Sequence, residues 1–213
     1  MPRPDFFRKL GLFVQDSFLD LALCAEVCAE MCCAASNQGE IFLDSGEGVI
    51  NENVRRVMCA KVQGPNKRLI QQRLEGVRPG LEEHFRVRLA ATPPLEFLIY
   101  PQGALYTRHT DINRDTNLGI QRRSVSVVIF LNGHSEGAVQ DCYGGGKLTF
   151  HGILKEPEWI NCAFSLDPCP GLLVAFPSDV SHEVKPVTFG TRFTIVSWFL
   201  AEIGLDQERL ISA

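Results

Sequence analysis

Hydrophobic and polar positions pass from a mainly helical to a mainly strand rhythm along this chain. Between Ser17 and Ala35 apolar and small residues recur at helical spacing behind a serine suited to cap a helix, so a helix is expected there. Residues 36–53 are a Gly/Asn/Asp-rich connection, and Val54 to Val62 reads as a strand. Pro65 to about Leu89 reads as helix, interrupted near Gly76 and Pro79-Gly80. After Thr92-Pro-Pro94 the pattern turns to short β-branched and aromatic runs separated by Gly, Pro and Asn. These patterns predict a mainly β, α+β fold, a double-stranded β-helix or jelly roll with helices packed on its larger sheet. Residues 1–94 are expected to form an N-terminal support integral to the fold, and 95–205 the jelly-roll core.

The candidate chemistry lies in the β part. His109-Thr-Asp111 is answered far downstream by His182, with Arg192 ten positions further on. Side chains alternate along a strand, so His109 and Asp111 project to one side while Thr110 points away. Two imidazoles and a carboxylate on one face of a metal leave the other positions open, which suits ferrous iron. Manganese, cobalt, nickel or zinc would also be accepted by these donors. Arg192 opens the strand-like run Arg-Phe-Thr-Ile-Val-Ser-Trp-Phe-Leu and shares a face with Thr194, Val196 and Trp198. A guanidinium among Val and Trp needs a carboxylate partner, either a protein Asp or Glu or a bound ligand.

Five segments, in order, resemble the iron- and 2-oxoglutarate-dependent dioxygenases, in their prolyl 4-hydroxylase-like branch. They are Tyr-x-x-Gly-x-x-Tyr-x-x-His-x-Asp at 100–111, Val-Ile-Phe-Leu-Asn at 128–132, and Gly-Gly-Gly-Lys-Leu-Thr-Phe at 144–150. Gly-Leu-Leu-Val-Ala-Phe-Pro follows at 171–177, then His-Glu-Val-Lys-Pro-Val-Thr-x-Gly-x-Arg and its trailing Trp at 182–198. The resemblance implies that His109, Asp111 and His182 hold Fe(II), Arg192 pairs with the far carboxylate of 2-oxoglutarate, and Tyr100 hydrogen-bonds that co-substrate. O2 is the oxidant, with ascorbate as an accessory reductant. Phe130 stands where some relatives carry a tyrosine, so Ser126 or Thr194 is expected to replace its contact. The resemblance also places Trp198 near the substrate, and Arg123 is a further substrate candidate. The implied reaction is hydroxylation of a C–H bond, first in a prolyl residue of a protein or peptide, alternatively in a free amino acid or other small molecule. A non-catalytic jelly-roll binding module is the reading least compatible with these residues. The polar loop Ile112–Gln121 and the Gly-rich stretch Gly133–Gly146 are expected to bear on substrate choice.

Composition changes this picture little. Across 213 residues, 21 Lys and Arg against 25 Asp and Glu give a net charge of −4, which demands neither nucleic acid nor membrane. Arg55, Arg56, Lys61, Lys67, Arg68, Arg73, Arg78, Arg86 and Arg88 make the middle locally basic, as a solvated helical face would. Asp20, Glu26 and Glu30 interrupt the most apolar stretch, so no membrane span is expected there. A cytoplasmic location is expected, with the eight cysteines reduced. Cys24, Cys28 and Cys32 recur every fourth residue and read as core packing on one helix face. His84, His134 and His151 read as surface or packing histidines.

Overall fold

A computed structural model of the chain describes residues 4–42, 47–90, 95–112, 123–137, 139, 141–153 and 162–201. Two antiparallel sheets face each other. The larger has seven strands in the order Phe13–Gln15, Leu173–Pro177, Arg123–Phe130, Arg192–Leu200, Glu96–Tyr100, Met58–Ala60 and Ser36–Gln38. The smaller runs Ala163–Ser165, Leu148–His151, Ser181–Val184, Leu105–His109 and Arg55–Arg56. A separate three-stranded sheet consists of Gly133–His134, Cys142–Gly145 and Val187–Phe189, its first pair parallel. This is the mainly β jelly roll with few helices that the alternating pattern predicts.

Alternation makes the larger sheet two-faced. Val125, Val127, Ile129, Ile195 and Phe199 point outward and pack against Leu23, Val27 and Met31 of helix Leu21–Cys33 and Ile70, Leu74 and Leu81 of helix Pro65–Phe85. Each such side chain contributes about 1.5–3 kcal/mol on burial, so this layer dominates the stability of the fold. The opposite face carries Arg192, Thr194, Val196 and Trp198, placed by register beside Phe130, Val128 and Ser126 on one side and Tyr100 and Leu98 on the other. The sheet thus spends one face on the core and the other on a lined cavity.

Several sequence expectations shift. The first helix starts at Leu21 with Asp20 as its cap, accepting from the Leu23 N–H at 2.8 Å, while Ser17 sits at φ 51 in the turn before it. Helix Pro65–Phe85 is continuous through Gly76 and Pro79. Pro79 is exposed, so its missing N–H falls on the solvent side, while Leu74 and Leu81 anchor the helix on both flanks. The stretch Val54–Val62 divides into Arg55–Arg56 in the smaller sheet and Met58–Ala60 in the larger, the chain crossing between sheets at Val57. The cysteine stripe is buried only in part. Cys24 is in the core, Cys28 packs against it, and Cys32 and Cys33 are exposed. Each step of four residues advances roughly 40° around a helix, so the third cysteine has rotated away from the face defined by Leu23, Val27 and Met31. The passage at Thr92–Pro94 and the loop after Ile112 lie outside the described residues.

Candidate active site

Two strands of the smaller sheet bring the distant histidines together. Ser181–Val184 pairs with Leu105–His109 so that His182 lies directly across from His109, their ring centroids 4.3 Å apart. Asp111 stands just beyond the strand end, aligned by its backbone N–H donating to the Ser178 carbonyl at 2.9 Å. Its carboxylate reaches both imidazoles, Oδ1 at 3.7 Å from His109 Nε2 and Oδ2 at 3.6 Å from His182 Nε2. One donor atom from each of the three residues lies within 4.8 Å of the others, the single such cluster of His, Cys, Asp and Glu among the described residues.

Groups behind the three residues fix their chemistry. His109 Nδ1 bonds the Thr107 carbonyl at 2.7 Å and His182 Nδ1 the Val180 carbonyl at 2.9 Å. Each Nδ1 therefore carries the proton, and each Nε2 presents a lone pair to the common centre. Ser126 Oγ donates to Asp111 Oδ2 at 2.7 Å and contacts Ser178 Oγ at 2.9 Å. Tyr106 stacks on His109 at 3.5 Å, and Phe176 abuts His182 edge-on at 4.8 Å. Burial, reinforced by neighbouring His182, pushes the His109 imidazole down to about 4, so it is neutral at pH 7. Burial works against ionisation of Asp111, yet His182, His109 and the Ser126 hydrogen bond outweigh it and hold the carboxyl below its ordinary value. Two imidazoles and one carboxylate, oriented by outer hydrogen bonds, are the donor set of a 2-His-1-carboxylate metal site.

The low value at His109 has a consequence for acid stability. An unfolded chain takes up this proton near pH 6.5, whereas the folded chain resists it until about 4. Stability of the metal-free protein is therefore expected to fall as pH drops from 6.5 toward 4. Thermal melts in the presence of a chelator check this. A His109→Gln variant should lose less over that window, and an equal loss in both proteins would remove the cause assigned here.

His109 and His182 open onto a pocket whose empty space, with the open solvent at its mouth included, is about 410 Å³. Tyr100, Leu98, Val128, Leu148, Val184, Arg192, Thr194, Val196 and Trp198 line it, with Arg55 and Tyr106. Arg192 is 1 % exposed and has no carboxylate among the described residues. Among those residues its Nη1 donates to Thr194 Oγ1 at 3.3 Å, and its Nε is unpartnered. It lies against the faces of Tyr100 and Phe130, at 4.9 and 5.2 Å. An uncompensated buried guanidinium is costly, so the cavity is built to receive an anion at this end.

Placement of the remaining candidates is mixed. Trp198 lines the cavity, and its indole N–H lies close to Asp111 without a hydrogen bond of good geometry. Arg123 covers the outer face of that indole at 3.7 Å, lies beside the cavity wall and does not line it. Ser126 serves Asp111 and is not beside Arg192, whereas Thr194 is. The loop Ile112–Gln121 lies outside the described residues except for Ile112 and Asp111 before it. The helical-face reading of the basic stretch fails at Arg55, which belongs to a strand. Arg55 lies over Tyr106 at 5.1 Å, pairs with Glu96 at 3.5 Å and lines the cavity. Sequence reasoning did not assign Tyr106, Ser178 or Arg55 to the site. Only Tyr106 had a visible signal, its place three residues before His109 in the Tyr-x-x-His-x-Asp run.

Fold and site together set a candidate 2-His-1-carboxylate metal centre beside a pocket that also holds a buried arginine. The chain belongs to the 2OG-Fe(II) oxygenase superfamily, whose sequence profile matches residues 95–200. Among curated proteins it is similar to a PKHD-type hydroxylase of Picosynechococcus sp., 33% identical over 141 residues, covering 64% of this chain and 57% of that protein. A PKHD-type hydroxylase of Synechococcus sp. is 32% identical over 156 residues, covering 70% of this chain and 63% of that protein. The chain thus spans roughly three-fifths of the length of these relatives. Among solved structures, a prolyl-4-hydroxylase of Pseudomonas putida superposes with a TM-score of 0.69 at 24% identity, covering 93% of this chain and 97% of that one. A prolyl hydroxylase of Trichoplax adhaerens, solved with a hypoxia inducible factor peptide fragment, gives 0.66 at 22% identity, covering 98% and 90%.

Proposed function

We propose that this chain is a hydroxylase that uses Fe(II), 2-oxoglutarate and O2 to oxidise a C–H bond of a prolyl residue within a protein or peptide. The observation that carries the chemistry is the pairing of an oriented His109, Asp111 and His182 at one part of the cavity with an unpaired buried Arg192 at another. His109, Asp111 and His182 would hold the metal, and Arg192 and Tyr100 the co-substrate. When bound, iron with 2-oxoglutarate and O2 supplies the oxidising equivalent, giving hydroxylated product, succinate and CO2. The protein's part is positional. Carbonyls of Thr107 and Val180 hold the imidazole tautomers, Ser126 holds the carboxylate, and Val128, Leu148, Val184 and Val196 keep water from the reacting centre.

A polypeptide substrate is supported by what lies outside the mouth. Arg55, which lines the cavity, also lines a neighbouring groove formed by Gln38, Glu52, Arg56, Val57, Met58 and Pro101. A free amino acid would have no use for that adjoining surface, while an extended chain would lie along it. A cytoplasmic location fits the eight cysteines, all free thiols. No helix among the described residues is long and apolar enough to cross a membrane.

The test is succinate release with Fe(II), 2-oxoglutarate and ascorbate, in the presence of a panel of proline-containing peptides or of free proline. Peptide-stimulated turnover with a gain of one oxygen on the peptide is expected. Stimulation by free proline alone would move the substrate to the small-molecule class. Iron binding without any 2-oxoglutarate turnover would refute the enzyme reading.

A further inference from the structure

Beside Arg192 lies a second buried polar group without a partner. Tyr143, on strand Cys142–Gly145, is 0 % exposed and packs with Tyr100, Val184 and Val187. Among the described residues neither its hydroxyl nor Arg192 Nε has a hydrogen bond of good geometry, although the phenol and the guanidinium stand within reach of each other. The two side chains converge over Gly146, where an added Cβ would lie 3.2 Å from Arg192 Cδ and 3.2 Å from Tyr143 Cε2. Burial raises the phenol, and the Arg192 charge draws it back down, as expected for close neighbours. A buried phenol and guanidinium that stand side by side with hydrogens left to donate are costly. A carboxylate, with two oxygens and about four lone-pair sites, satisfies both at once. Phe130, against the same guanidinium, offers no donor.

We propose that the Tyr143 hydroxyl donates a hydrogen bond to the far carboxylate of 2-oxoglutarate alongside Arg192, supplying the phenol that Phe130 lacks. This rests on the 2-oxoglutarate reading above and names a binding residue for it. The strand around Tyr143 is then a wall of the co-substrate site, and its glycines are there because the neighbouring chains come close. At Gly144 a Cβ would collide with Phe189, at Gly145 with the Pro186 carbonyl.

Calorimetry on Mn(II)-loaded protein tests the proposal without turnover, using 2-oxoglutarate and 2-oxobutanoate. The second ligand keeps the oxo-acid end and lacks the far carboxylate. Tyr143→Phe should weaken 2-oxoglutarate about tenfold, equivalent to about 1.4 kcal/mol. It should leave 2-oxobutanoate and Mn(II) binding unchanged. Adding Phe130→Tyr to that variant should recover most of the loss. Equal weakening of both ligands would assign Tyr143 a purely structural role and overturn the proposal, as would unchanged 2-oxoglutarate binding. Wild-type protein that binds Mn(II) but neither oxo acid would overturn it together with the co-substrate reading.

Discussion

His182→Ala is expected to reduce iron-dependent turnover by more than about 100-fold, beyond the range found when only an outer-sphere partner of a metal ligand is lost. His182 is buried, its Nε2 faces Asp111, and its Nδ1 is already committed to the Val180 carbonyl. No other side chain stands ready to replace it, since the three residues are the one cluster of metal-binding side chains among the described residues. The remaining pair, His109 and Asp111, would bind Co(II) or Mn(II) far more weakly, and a titration read by Co(II) absorbance separates this from loss of fold. Near-wild-type metal affinity in His182→Ala would reject the assigned triad. A folded variant that binds metal weakly and is inactive supports it.

Arg192→Met should act in opposite directions on binding and on stability. Hydrogen bonds to charged groups are worth about 1.5–3 kcal/mol each, so losing a two-pronged contact should raise the 2-oxoglutarate requirement by about 100-fold or more. The ligand-free protein, by contrast, should melt at the same or a higher temperature. Its Arg192 is buried without a carboxylate among the described residues, and a methionine of similar reach removes an unpaired charge while keeping the contacts with Tyr100 and Phe130. A structural arginine would give the reverse, a lower melting temperature and an unchanged 2-oxoglutarate requirement. That pair of results would reject its role as an anion receptor.

The site was legible where its residues obey local rules. His109 ends strand Leu105–His109 and Asp111 follows two residues on, outside it, while Arg192 to Trp198 alternate on a single strand, so period-two reasoning reaches all of them but Asp111. The two-faced sheet and the helices behind it follow from the same alternation. Arg55 was not legible, because Arg55-Arg56 looks like ordinary surface charge until the crossing at Val57 carries one arginine to the cavity wall. Tyr143 was hidden by its setting, since a tyrosine before three glycines reads as part of a turn. Ser126 looked available to a co-substrate, and only the pairing of its strand with Arg192–Leu200 shows it committed to Asp111. The helix through Pro79 escaped because local propensity was overridden by anchoring on both flanks.

The cross-strand pairing of His109 with His182 has a consequence for the folding of the chain as a whole. A metal gripped by both rings ties two points far apart in sequence, as a disulfide would, and closes the long loop between them. Such a tie penalises the unfolded ensemble and holds the strand register, because a slip of one residue would turn one ring to the far side of the sheet. The ion would then be a reversible staple as well as a reagent, and the lifetime of the folded chain would depend on how much metal its surroundings supply.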